Sequence, residues 1–119
     1  ITNPEAIPHH LKNYNALRQL NIERIFPNHG RSQIIKNGGY PKELIESVTY
    51  YLGTLYNLLE KDPQAQVPEL KNFMNKYLDK NLIVYWHPYE LVHENNIKRV
   101  RSFFKGTWAG EGKLKTSAD

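Results

Sequence analysis

With 119 residues and no cysteine, the chain is one domain's worth at most, and disulfides, thiolate zinc sites and cysteine nucleophiles are excluded. Sixteen basic and 12 acidic residues leave a net charge of +4, but the cations are spread among the acids, which points to solubility first and makes nucleic acid an unlikely partner. No apolar run approaches the roughly 20 residues of a membrane span, and no targeting pattern stands in these residues, so no membrane role is expected and the compartment stays open. The first residue is Ile1 rather than Met, and the chain is expected to be a piece of something longer.

Asn3-Pro4-Glu5 reads as a helix start, an Asn cap followed by proline in the first turn. Ile7, Leu11, Tyr14 and Leu17 then fall at helical spacing and predict one apolar face through about Leu20. His9 and His10 are sequence neighbours and point in different directions from a helix, so they are expected on the surface. A short strand is predicted over 24–26, where Arg24-Ile25-Phe26 precedes a Pro27-Asn28 turn that presents His29 beside Gly30. The polar stretch 31–40 reads as a loop closed by Gly38-Gly39.

The longest predicted helix follows, with Pro41 in its first turn, Glu43 and Glu46 near its positive end, and an Ile45, Val48, Leu52, Leu55, Leu59 stripe. Gly53 in its middle is explained if another helix crosses there closely, and Asp62-Pro63 is expected to stop it. Pro68 restarts a shorter helix with Leu70, Phe73, Met74, Tyr77 and Leu78 on one side. Residues 81–86 read as extended, either strand or buried connector. His87-Pro88 opens a last helix to about Lys105, with Val92, Val100, Phe103 and Phe104 inward, Gly106 as its stop and 107–119 as a frayed tail in which Trp108 docks.

Two constellations carry chemistry. On the last helix Tyr89, His93 and Asn96 share a face next to Trp86 and His87. That face either lines a polar pocket or holds a buried histidine satisfied by a carbonyl. The basic run Lys98, Arg99, Arg101, Lys105 is either a phosphate footprint or a solvated complement to the helix's negative end.

The order helix, strand, Ile25-Phe26-Pro27-Asn28-His29-Gly30, polar loop, long helix resembles the C-terminal part of the metallo-β-lactamase superfamily. There a strand ends in a Pro-Gly-His-Gly-like turn whose histidine is the last protein ligand of a two-metal site. Asn28 stands where the family usually has glycine and is the next-best residue for a positive φ. The stretch Tyr89 to Asn96 is similar to a segment that follows the metal-ligand half in some hydrolase-like members. The family's His-x-His-x-Asp-His cluster, its further histidine and its bridging aspartate are not in these residues.

The resemblance therefore implies a mainly α chain with one or two short strands, the C-terminal fragment of an αββα metallo-β-lactamase-like fold with extra C-terminal helices. It divides into the end of the core (1–40), a helical region (41–106) and a tail (107–119). It further implies a metal-dependent hydrolase in which His29 is a metal ligand, with Trp86, Tyr89 and His93 lining the cleft for a small-molecule substrate. Zinc in the intact parent would supply a hydroxide near neutral pH and polarise the bond it attacks. A single imidazole cannot hold zinc tightly, so this chain alone is expected to be inactive and metal-free. Its partners would be the remainder of the parent chain and, through the orphaned strand, a second copy. The competing reading is a small basic helical module that binds nucleic acid or a protein.

Overall fold

A computed structural model describes residues 1–25, 36, 38–79 and 85–107. The fold among them is mainly helical. A 3₁₀ turn, Pro4–Ala6, runs directly into helix α1, Ile7–Arg18. Asn3 holds the extended cap conformation, yet its side chain makes no cap bond. The backbone does the work, with Ala6 N–H donating to the Asn3 carbonyl at 3.0 Å. Ile7 is buried, while Leu17 and Leu20 are exposed, so the predicted apolar face fades along the helix.

Strand β1, Arg24–Ile25, pairs antiparallel with β2, Tyr40–Pro41, placing Arg24 opposite Pro41 and Ile25 opposite Tyr40. Pro41 thus belongs to a strand rather than to the first turn of the next helix. Helix α2, Glu43–Lys61, starts two residues later and ends where Asp62 turns extended ahead of Pro63. Gly53 does lie where α1 crosses α2, but a Cβ built on it would meet the Leu11 methyls at 3.8 and 3.9 Å, ordinary contact rather than a forced close approach.

The shorter helix predicted after Pro68 is two pieces, α3 (Leu70–Phe73) and α4 (Asn75–Asp79), separated at Met74, whose φ of −110° and ψ of 16° interrupt the helix. Helix α5, Tyr89–Phe104, closes the fold. Its stop is a Schellman motif: Gly106 has φ +74°, its N–H reaches the Phe103 carbonyl, and the Thr107 N–H reaches that of Ser102. Val92, predicted inward, is 53% exposed on α5, because the buried side of this part of the helix is occupied by His93 and Asn96 instead.

The core gathers Ile7, Leu55, Leu59, Phe73, Met74, Tyr77 and Val100, one or more from every helix. Full burial of such side chains is worth about 1.5–3 kcal/mol each. This cluster fixes α1, α2 and α5 around a cleft at one end. Residues 26–35, 37, 80–84 and 108–119 are outside the described residues, and with them fall the His29 turn, most of the predicted extended segment 81–86, and the Trp108 docking.

Candidate functional site

The cleft has a volume of about 590 Å³ and lies between the start of α1, the first half of α2, α3–α4 and the first half of α5. Its walls are aliphatic, with Leu44, Val48 and Leu52 from α2 facing Leu70, Met74 and Val92. No Asp, Glu, Lys or Arg side chain is among its described lining residues. Its floor is polar. Ser47, His93 and Asn96 are all buried there, and His93 is only 2% exposed.

A directed chain of hydrogen bonds organises that floor. His93 Nε2 lies 2.9 Å from the Pro68 carbonyl, an atom that can only accept, so Nε2 carries the proton. In the neutral ring Nδ1 then accepts from the Tyr51 hydroxyl at 2.7 Å. The Tyr51 oxygen in turn accepts from Asn96 Nδ2 at 3.0 Å, and Asn96 Oδ1 accepts from the Ile1 nitrogen at 2.9 Å. The His93 ring is also packed against the Tyr51 and Phe73 rings, with centroids 5.5 and 5.4 Å away. Burial pushes the Tyr51 hydroxyl up to about 12, with the Asn96 hydrogen bond opposing and the Glu90 charge adding to the rise. Tyr51 therefore keeps its proton at neutral pH and acts as a donor. Each member of the chain has its partner, so the floor holds a geometry and offers no free base.

Glu90, one turn before His93, fixes the next layer. Its carboxylate oxygens accept from the backbone N–H groups of Leu70 and Lys71 at 2.8 and 3.0 Å and from the Tyr85 hydroxyl at 3.0 Å. Partial burial alone would raise this carboxyl, but the hydrogen bonds from the Lys71 and Leu70 amides and from Tyr85 outweigh it and hold it below the usual carboxylate range. On Tyr85, partial burial and the Glu90 carboxylate push the hydroxyl up.

The sequence-derived site residues are distributed as follows. Tyr89 and His93 both line the cleft. Trp86 is 60% exposed and meets the Tyr89 ring edge-on at 5.2 Å, outside the cleft lining. His93 also donates to a carbonyl, so the two readings given for it describe one residue. His29 lies outside the described residues. His9 and His10 are exposed, with His10 at the cleft rim. Among the described residues no three His, Cys, Asp or Glu side chains converge to hold a metal ion, so these residues by themselves do not fit a zinc site.

Tyr51, Ser47 and Glu90 were not singled out by the sequence. Two of them sit beside the α2 stripe, where only the third dimension distinguishes them. Of the basic run, Arg101 donates to the Pro63 and Ala65 carbonyls at 2.8 and 2.7 Å and Arg99 to the Ile1 carbonyl at 2.7 Å, which corrects the expectation that they face solvent. No helix among the described residues is long and apolar enough to cross a membrane. No protein-family model matches the chain, and no curated protein or solved structure matches it.

Proposed function

We propose that this chain is the C-terminal part of a metallo-β-lactamase-like, metal-dependent hydrolase, contributing His29 as one metal ligand and a helical wall to the substrate cleft. The observation that carries the reading is the order of elements around the turn sequence. Helix α1 leads to β1, β1 ends at Ile25 two residues ahead of Pro27-Asn28-His29-Gly30, and the long helix α2 follows. The cleft bordered by Tyr89 and His93 supports it as a place for a small-molecule substrate. The remaining metal ligands belong to the parent chain, and no catalytic step is assigned to the residues described.

The test is the complete reading frame that encodes this chain, purified as wild type and as His29→Ala. Metal content and turnover are expected to fall together in the variant, with folding kept, because a turn histidine buries little apolar area. Unchanged metal and a near-normal rate in His29→Ala would overturn the assignment.

A second reading, a module that docks on a protein partner or a second copy, is favoured by one observation: Trp86, just ahead of α5, and Leu91 and Val92 near its start are large, apolar and exposed. The nucleic-acid form of that reading is weakened, since Arg99 and Arg101 spend their donors on backbone carbonyls.

A further inference from the structure

We propose that the cleft binds an uncharged, mainly apolar small molecule carrying a hydrogen-bond acceptor, such as an ester, amide or ketone oxygen. Three observations converge on that chemistry. The chain carries 16 basic and 12 acidic side chains, and none of them lines the cleft among the described residues. No acidic, lysine or arginine side chain is there to pair with a charged ligand, and the Ile1 nitrogen in the lining is already engaged by Asn96 Oδ1 at 2.9 Å, so a charged ligand would lose its hydration with little compensation, which costs far more than burying a neutral group.

Donors for an acceptor are nonetheless present. Tyr14, Tyr89 and His10 line the cleft, and their side chains make no hydrogen bond among the described residues. Tyr51, His93 and Asn96 are committed to one another and to the Pro68 carbonyl, so they shape the floor and leave recognition to the rim.

Volume selects a small molecule over a docked helix. A helix with its side chains is about 10 Å across, so 590 Å³ accommodates roughly one turn of it, too little for an amphipathic partner that anchors over several turns. The same volume falls within the roughly 300–1,000 Å³ of ligand sites for small molecules.

The inference goes beyond the hydrolase reading and does not depend on it: ligand binding with no metal or turnover in the parent would remove only that reading, and a metal-dependent parent whose cleft stays empty would remove only this one. The experiment uses the 119-residue chain and the uncharged fluorophore N-phenyl-1-naphthylamine, with methyl octanoate and octanoate as competitors. Saturable binding of one probe per chain is expected, displaced by the ester, with octanoate at least tenfold weaker. Val92→Asp, at an exposed position on the cleft wall, is expected to weaken the probe at least tenfold without loss of helical signal, and Tyr89→Ala serves as a second rim variant if the aspartate disturbs folding. The proposal is overturned by non-saturable probe signal, by octanoate competing as well as its ester, or by affinity that neither rim variant alters. Probe binding that vanishes with rising protein concentration as light scattering reports a dimer would also overturn it, in favour of a second copy as occupant.

Discussion

The two halves of α5 are built on opposite rules. From Ile97 onward the helix behaves as a fold element, with Val100 fully buried in the core, Phe104 edge-on to Tyr56 at 4.9 Å, and a glycine stop. Up to Asn96 the polarity is inverted, with the His93 imidazole and the Asn96 amide inside while Leu91 and Val92 face out. One helix thus shows what stabilising a core asks of a sequence and what shaping a site asks. The second demand is the one that sacrifices apolar burial.

That contrast can be broken at the core end with the largest effect. Leu55→Ala, at a fully buried position in the cluster that includes Val100, is expected to lower stability by about 2–5 kcal/mol. Chemical denaturation followed by far-ultraviolet circular dichroism measures it, and a loss under about 1 kcal/mol would mean the core end is loosely packed.

At the site end the effect should be smaller and of a different kind. Tyr51→Phe removes one oxygen with almost no change of shape, leaving His93 Nδ1 without its donor and Asn96 Nδ2 without its acceptor. The expected loss is about 1–3 kcal/mol, the cost of buried polar groups left unpaired. A neutral result would show that water reaches the floor and replaces the hydroxyl.

The smallest expected effect sharpens the comparison by its pH dependence. The Glu90 carboxyl is held below its unfolded value, so its contribution is fully present above the ordinary carboxylate range and is lost as pH falls through the lowered folded value. Glu90→Gln is expected to cost about 1 kcal/mol or less near neutral pH, since the carboxylate is only partly buried and solvent screens its charge. The wild-type and variant stabilities should converge on acidification. Parallel stability curves between about pH 7 and pH 3 would refute the capping role.

Much of this fold is legible in the sequence where a local rule decides it. The α2 stripe, the extended Asp62 before Pro63 and the positive φ of Gly106 follow from spacing, from proline and from glycine. The rest depends on distant partners. Pro41 reads as a helix start until Arg24 pairs with it across the chain. Tyr51 lies 42 residues from His93, so the spacing that places His93 and Asn96 on one face cannot name the hydroxyl between them. Val92 belongs to an inward series by its residue type alone, and only the neighbours that claim the inner face show otherwise.

The connector between α2 and α3 illustrates a cooperative unit distributed along the sequence. Arg101 grips it at Pro63 and Ala65, His93 at Pro68, and Glu90 at the first amides of α3, all from α5. Those contacts span 19 to 38 positions of chain, so the connector has little order to gain before α5 arrives and little to keep once α5 departs. Detachment of that helix would release connector, α3 and cleft floor in a single opening event, with the Leu70 and Lys71 amides becoming exchangeable with solvent at the same free energy as the helix itself.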